Sequence, residues 1–310
     1  MKQLTQILIV SFALLDSVVA VALAQKANAP KADSGATKDS SPVLARVNGT
    51  AITESDLLFF VKTRKLSSND AEESREVLIE RLIERQLLRG FLAQKKVTAA
   101  PLLLDEHVTR LKQRLKAGKG DPDQLLAKAG FTDESLRREL RLPLDWDAYI
   151  QQIVTDAKLR DVWMKRKHEF DGTEVRAAQI ALKSADPVGD EKTLAAIRED
   201  IVAQRITFPE AAKKHSQAPS AENGGDLGLL EFRGGDAPPV LVQMAFSLKV
   251  GEASQPFRSS RGVHLLTVTE RVEGQLSLED AKPDIRQQLS IELQQEMLKA
   301  ERAQAKIVRP

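Results

Sequence analysis

Apolar residues recur every three or four positions along most of the chain, and this period predicts a largely helical protein. In the segment 71–94, Ile79, Ile83, Leu87 and Phe91 recur at four-residue intervals and predict an amphipathic helix. Similar patterns predict helices over residues 57–60, 103–115, 123–129 and 133–166. Pro143 should interrupt or kink the last of these, because proline removes a helical hydrogen bond.

The pattern changes at Thr173, where short strands and helices alternate. Strands are predicted over residues 175–182 and 263–269, with helices over 192–205, 209–214 and 239–246 between them. This alternation predicts a compact α+β unit from Thr173 to Val272, after a region that is predominantly helical.

The C-terminal segment 273–310 predicts one long amphipathic helix. Ile285, Leu289, Leu293 and Met297 recur every four residues, and we predict that the helix ends at residues 306–308. A solitary amphipathic helix is not stable without a surface to pack on. We therefore expect it to pack on the N-terminal helices, which offer the nearest apolar faces.

The N-terminus predicts export. Lys2 precedes an apolar stretch over residues 4–24 that ends in Ala-Leu-Ala, so residues 1–24 are interpreted as a cleaved signal peptide. A retained membrane anchor is the alternative, although Asp16 is costly inside a membrane. Residues 25–42 lack apolar periodicity and predict a disordered linker. A short strand at 43–47 and an Asn48-Gly49 turn then begin the ordered region, 43–172.

Composition argues against several classes of function. The 310 residues are 42% hydrophobic and 29% charged, which is typical of a globular protein, and a net charge of +2 argues against a nucleic-acid partner. Cysteine is absent, so the chain has neither disulfides nor a lipid-attachment cysteine. The four histidines are spaced too irregularly to predict a metal site, and no phosphate-binding loop or hydrolase motif occurs, so no cofactor is expected.

The most specific motif is Gly224-Gly225-Asp226-Leu227-Gly228, a run that dictates an unusual backbone. We interpret Asp226 as a cap for local backbone donors rather than as a catalytic base. The motif has its own set of flanking residues: Phe208, Ala212, Ser216, Pro219-Ser220, Phe246, Gly251-Glu252, Pro256 and Gly262-Val263-His264. With these flanks, the segment 173–272 resembles a complete parvulin (PpiC-type, or rotamase) peptidyl-prolyl isomerase domain.

The two flanking regions resemble the split helical module of the SurA and PrsA class of extracytoplasmic folding factors. This likeness is carried by Val47-Asn48-Gly49 with Ile52-Thr53, by Gly130-Phe131-Thr132 and by residues 305–308. The resemblance implies an α+β fold in which a helical SurA-like module, completed by the C-terminal helix, carries an inserted parvulin domain. That domain would have an antiparallel sheet surrounded by helices.

The resemblance also implies the site residues. Parvulins place two histidines side by side, facing a Cys or Asp. His264 matches the second histidine, whereas Gln179 stands in place of the first and Ala218 in place of the Cys or Asp. Gln179 still offers hydrogen bonds, and Ala218 offers none from its side chain. The predicted catalytic residues are therefore His264 and Gln179.

Leu227, Leu241 and Phe246 are the residues expected to line or support the proline pocket. The resemblance predicts a prolyl isomerase and folding factor in the periplasm or outer cell envelope. Its partners would be unfolded or proline-containing exported polypeptides, without stable membrane insertion after signal cleavage. A non-catalytic chaperone with a peptide-binding parvulin domain is the main alternative, and a structural envelope protein is the third.

Overall fold

A computed structural model describes residues 41–64, 75–117 and 121–310. The predicted signal peptide, most of the predicted linker and the first four residues of the predicted helix 71–94 lie outside the described residues. The chain divides into two compact units. Among the described residues, one comprises 41–155 with 286–310, and the other comprises 156–285. The part of the chain that the structure describes contains no helix with the length and apolar character needed to cross a membrane.

The first unit begins with a hairpin of β1 (Val43–Val47) and β2 (Thr50–Thr53). Asn48 and Gly49 between them both have positive φ, at 50° and 86°, as the Asn-Gly turn predicts. The predicted helices follow, and their bounds are α1 (Glu54–Arg64), α2 (Arg75–Lys95), α3 (Pro101–Ala117), α4 (Pro122–Lys128) and α5 (Asp133–Ile153). Buried Leu and Ile side chains on one face of α2 pack with β1, β2 and α1 in a shared core.

The predicted interruption of the helix at Pro143 does not occur. The helix α5 runs through Pro143, and the chain leaves helical geometry eleven residues later, at Val154, which has φ −95° and ψ 82°. A new helix, α6 (Asp156–Arg166), then begins the second unit. Pro143 is buried among leucines of α5, and this packing offsets the hydrogen bond that proline removes.

The C-terminal helix α10 spans Leu278–Gln304, and its part from Arg286 belongs to the first unit. There Trp146 Nε1 donates to Ser290 Oγ at 2.8 Å, and Leu298 packs on the core formed by β1 and α2. The helix ends at Gln304, so the predicted end at 306–308 was wrong. Ile307–Val308 instead forms β7, which pairs antiparallel with β1 because the edge of the hairpin offers backbone partners.

The second unit contains a four-stranded antiparallel sheet in the order β4-β3-β6-β5, which confirms the predicted α+β class. The strands are β3 (Glu174–Leu182), β4 (Asp226–Glu231), β5 (Phe257–Ser259) and β6 (Gly262–Val272). Helices α7 (Pro187–Val202), α8 (Phe208–His215) and α9 (Pro239–Ser247) accompany them. Two apolar clusters hold this unit together, one with α9 and one with α7 and α8.

Several helices and strands differ from the predicted ones for local reasons. The helix α7 begins at Pro187 rather than residue 192, because the Asp186 carboxylate accepts hydrogen bonds from the next backbone N–H groups. It ends before 205 because Gln204 has a left-handed φ of 57°. The strands β4 and β5 were not predicted, since glycines in one and the shortness of the other conceal the alternating pattern.

The chain enters and leaves the sheet at one place. Glu174, at the start of β3, pairs with Val272, at the end of β6. Just outside this pair, Gly274 N donates to Thr173 Oγ1 at 3.1 Å, and Leu276 N donates to the Asp171 carbonyl oxygen at 3.0 Å. The two ends of the segment 173–272 therefore lie side by side.

Candidate active site

A cavity of about 530 Å³ lies on the sheet of the second unit. One wall is formed by β3 and by Lys183, which follows it, and another wall is formed by β4. From the first strand and the residue after it, the lining residues are Gln179, Ala181, Leu182 and Lys183, and from the second they are Leu227, Leu229, Leu230 and Glu231. His264 from β6 and Ala218 from the loop after α8 complete the central part.

The structure brings the two predicted catalytic residues together. In the sheet, Gln179 lies opposite Leu266, so His264 is its diagonal neighbour on the adjacent strand. His264 Nδ1 lies 3.1 Å from Gln179 Oε1. On the other side of the ring, His264 Nε2 lies 2.7 Å from Ser259 Oγ. A chain of hydrogen bonds thus runs from Ser259 through His264 to Gln179.

The partners define the proton positions on His264. An amide oxygen only accepts, so Nδ1–H donates to Gln179 Oε1. Ser259 Oγ accepts the backbone N–H of Arg261 at 2.9 Å, and its own O–H can donate to Nε2 when the imidazole is neutral. In the neutral imidazole the proton is therefore on Nδ1, and Nε2 accepts from Ser259. Phe257 lies directly opposite in β5 and stacks on the ring at 5.6 Å, which fixes the ring plane.

Burial lowers the pKa of His264, and the positive charge of Arg261 lowers it further. Only 3% of the residue is exposed, so the charged form loses most of its hydration. Both causes favour the neutral imidazole, which carries its proton on Nδ1.

We expect the His264 ring to titrate below about 6.5, the ordinary value for histidine. The substitution Arg261→Gln should raise this pKa only partway, because burial is the larger cause. The measurement is an NMR titration of the ring C–H signals in both proteins. A wild-type pKa at or above 6.5 would contradict the neutral assignment.

The same shift predicts how stability depends on pH. The unfolded imidazole takes up a proton near pH 6.5, whereas the folded one does so only at lower pH. Between these values the unfolded state binds more protons, so the free energy of unfolding falls as pH falls. The contribution of His264 is complete above pH 6.5 and is lost toward its folded pKa, with a slope of at most about 1.4 kcal/mol per pH unit.

Two of the three predicted proline-pocket residues, Leu227 and Leu241, line the cavity. Phe246 does not. It is buried in the same apolar cluster as Leu241, where it contacts the ring of Phe232 edge-on at 5.0 Å. Phe246 is thus placed to support the wall rather than to touch a ligand.

Ala218 lines the cavity together with Gln179 and His264, and it contributes only a methyl group there. Its backbone N–H is held by Ser216 Oγ at 3.2 Å, and that hydroxyl also accepts the Ala181 N–H at 3.1 Å. Sequence reasoning missed Ser259, which completes the hydrogen-bond chain. A serine on a three-residue strand has no distinctive pattern, and only the pairing of Ser259 with Gly262 places it beside His264.

The glycine motif sets the backbone conformation at the start of β4, beside Gln179. Gly225 has φ 85°, and its carbonyl oxygen accepts the Gln179 N–H at 2.9 Å. Asp226 caps local donors, as predicted, since its carboxylate accepts the Gly228 N–H at 3.1 Å and pairs with Arg176. The motif is therefore part of the scaffold that holds Gln179.

We expect Gly225→Ala to destabilise the second unit by about 2–4 kcal/mol. The new Cβ would lie 2.3 Å from the Gln179 carbonyl oxygen, which adds overpacking to the strain of a left-handed backbone. Gly228→Ala is the matched control, because Gly228 has a similar φ of 73° and open space around its Cβ position. It should cost only about 1–2 kcal/mol. Urea unfolding, followed through amide signals of the sheet, measures the free energy of unfolding of both variants. Equal decreases in the two would contradict the steric explanation.

Comparison with known proteins finds a family match for the second unit and relatives among the PrsA foldases. Residues 181–270 match the Rotamase family model, described as a PPIC-type PPIASE domain. A foldase protein PrsA from Geobacillus kaustophilus is 28% identical over 204 residues, which cover 66% of this chain and 68% of the relative. A foldase protein PrsA from Clostridium botulinum is 25% identical over 285 residues and 82% of each chain. A crystal structure of peptidylprolyl isomerase (PrsA) from Bacillus cereus matches with a TM-score of 0.48 and 20% identity, over 85% of this chain and 92% of that one.

Proposed function

We infer that this chain, which carries a parvulin-type peptidyl-prolyl isomerase domain and is a relative of the PrsA foldases, is a prolyl isomerase and folding factor that acts on unfolded polypeptides. The observation that carries the catalytic part is the hydrogen-bond chain from Ser259 through His264 to Gln179 at the wall of the cavity. This chain of hydrogen bonds orients a donor beside an apolar surface, and rotation about a prolyl bond requires both.

Rotation about a prolyl bond breaks no covalent bond. It must overcome a barrier of about 20 kcal/mol that arises from amide resonance. As the amide twists, the nitrogen recovers its lone pair and becomes a better hydrogen-bond acceptor. A catalyst lowers the barrier by binding this twisted form better than either planar isomer. It therefore needs an apolar surface for the proline ring and a well-oriented donor beside the amide.

Gln179 supplies the donor. Its Oε1 is occupied by the Nδ1–H of His264, and within the described chain its Nε2 donates to no protein group. The amide NH₂ is thus left for a ligand in the cavity. Both ring nitrogens of His264 are engaged within the protein. We therefore assign Gln179 as the group that contacts the twisted amide and His264 as the residue that positions it.

Leu227 and Leu241 provide the apolar surface for the proline ring. Ala218 contributes no charge or hydrogen bond from its side chain, so catalysis here would depend on the Gln179 donor and on the exclusion of water. A catalyst of this kind needs no cofactor.

Around this centre we propose the domain division given by the sequence. Residues 173–272 would be the isomerase domain, inserted into a helical module formed by 43–172 and 273–310. The adjacent ends of the segment 173–272 support this division, because an inserted domain must leave its host chain and return at nearby points. We further propose that residues 1–24 direct the chain out of the cytoplasm, to the periplasm or outer cell envelope.

The test is prolyl isomerisation measured by exchange NMR on a proline-containing peptide, with the full chain added in catalytic amount. We expect cross peaks between the cis and trans forms to build up faster than in the peptide alone. Equal rates with and without protein would refute the enzymatic function and favour the non-catalytic chaperone. Suppression of client aggregation, measured separately, tests the folding-factor function.

A further inference from the structure

A second cavity, of about 240 Å³, lies within the helical unit, far along the sequence from the candidate active site. Side chains from β2, α1, α2 and α5 line it. Three of its lining residues are arginines, Arg85 and Arg89 from α2 and Arg138 from α5. Its remaining polar residues include the carboxylates of Asp56 and Glu139. Nothing in the proposed isomerase function uses this cavity.

The charges in this cavity do not balance. Glu139 pairs with Arg85 and, at 3.0 Å, with Arg89. Asp56 is occupied at the start of α1, where its carboxylate accepts the Thr53 N–H at 2.8 Å. Three guanidinium groups against two carboxylates leave one unit of positive charge. Arg138 has no ion pair with any described residue, so it is the arginine that is left to bind an added anion.

Burial makes the excess positive charge more costly. Arg85 is only 7% exposed, and its Nη1 has no hydrogen-bond partner within the described chain. Burial lowers the pKa of Arg85, the Glu139 carboxylate opposes that effect, and the positive charges of Arg89 and Arg138 add to the lowering. The arginines are thus close enough to repel one another, and the buried Arg85 has little water to screen that repulsion. An anion bound here would relieve that repulsion.

The rest of the wall is apolar. Phe59, Phe60, Leu82 and Ile52 line the cavity beside the arginines, and the Arg85 guanidinium lies 5.8 Å from the centre of the Phe60 ring. A volume of about 240 Å³ is smaller than a site for a drug-sized molecule and leaves room for a carboxylate with one apolar side chain of a peptide. The cavity therefore combines an arginine-rich end with an apolar wall.

We propose that this cavity binds a peptide carboxylate that lies next to an apolar side chain. A single carboxylate would neutralise the one unmatched positive charge, whereas a phosphate dianion would leave an excess negative charge in the same enclosed space. Arginine forks bind carboxylates through paired hydrogen bonds, and Arg138 is free to form them. The choice of a polypeptide as the source of the carboxylate rests on the proposed folding function.

Two kinds of peptide carboxylate have this chemistry, the C-terminal group and the side chain of Asp or Glu. Three proline-free probes distinguish them. The first is acetyl-Ala-Leu-Ala-Phe with a free carboxylate, the second is its C-terminal amide, and the third is an amide with glutamate in place of the second alanine. Binding to the full chain is measured by calorimetry, with NMR shifts of the arginine Nε–H signals to locate it. The absence of proline separates this test from isomerase activity, which is assayed in parallel.

We expect the first or third probe to bind and to shift the Arg138 and Arg85 signals, and the second to bind at least tenfold more weakly. Arg138→Gln should weaken binding about tenfold. This substitution is not expected to disturb folding, because Arg138 is exposed and unpaired. The matched control is Arg141→Gln, which removes the same charge from an exposed position of α5 outside the cavity and should change affinity less than twofold.

Equal weakening by the two substitutions would overturn the proposal, because it would show a general attraction of anions to α5. Failure of all three probes to bind, or equal binding of the amide, would overturn it as well. Binding of the first probe alone assigns the site to a C-terminal carboxylate, and binding of the third assigns it to an acidic side chain. Both of these results support the proposal, even if the isomerase assay shows no activity.

Discussion

Replacing Gln179 by glutamate should lower kcat/KM for prolyl isomerisation about tenfold, which corresponds to about 1.4 kcal/mol of transition-state stabilisation. Glutamate preserves the size of the side chain and still accepts the Nδ1–H of His264, but it has no N–H to give to the twisted amide. The loss should appear mainly in kcat, since the donor acts on the transition state rather than on either planar isomer. Exchange NMR at several peptide concentrations separates kcat from KM.

The control for this substitution is Gln243→Glu, the same chemical change at an exposed position of α9 that does not line the cavity. It should leave the rate within twofold of the wild-type value. His264→Ala should also lower kcat, because Gln179 loses the bond that orients it. A Gln179→Glu protein that keeps the full rate would show that the donor lies elsewhere, and full activity of His264→Ala would refute the positioning role.

Glu139→Ala should lower the free energy of unfolding of the helical unit by about 3–5 kcal/mol, the largest stability effect we expect in this protein. Glu139 is 6% exposed, and its carboxylate pairs with the buried Arg85 and the half-buried Arg89. Its removal leaves the Arg85 charge buried without a counter-ion. Urea unfolding followed through the amide signals of α2 and α5 measures the change in this unit alone.

Two comparisons show whether the buried charge is the cause. Glu134→Ala removes an exposed carboxylate from the first turn of α5 and should cost at most about 1 kcal/mol. Replacing the pair together, Arg85→Met with Glu139→Leu, should recover most of the lost stability, because no charge is then left unpaired in the core. A double variant as unstable as Glu139→Ala would show that the loss comes from packing.

The sequence predicted regular elements best where one face of a helix packs on a core. Ile79, Ile83 and Leu87 of α2 are buried as their spacing predicts. Prediction was poorer where distant residues decide the local conformation. Pro143 does not end α5, because the leucines around it are held in a core, and Ile307–Val308 forms a strand because β1 lies beside it. Neither neighbour can be inferred from the local pattern.

At the candidate site, too, the residues could be predicted from the sequence but their contacts could not. The resemblance to parvulins identified Gln179, His264 and Ala218, and the structure places all three at one cavity. Their roles depended on partners that spacing does not reveal. Ser259 reaches His264 Nε2 through the register of a short edge strand, while Gln179 Oε1 faces Nδ1 and accepts its proton. That proton in turn leaves the Gln179 NH₂ as the available donor.

The sequence by itself determined the helical and mixed regions, the glycine motif and the residue types available for chemistry, because these depend on local periodicity and on side-chain identity. Tertiary structure alone decided which groups meet, how they share protons and which charges are left unmatched. Glu139 and Arg85 are 54 positions apart, and Gln179 and His264 are 85 apart. Contacts over such separations arise from packing and strand register, so their geometry follows from the fold as a whole and not from any segment of it.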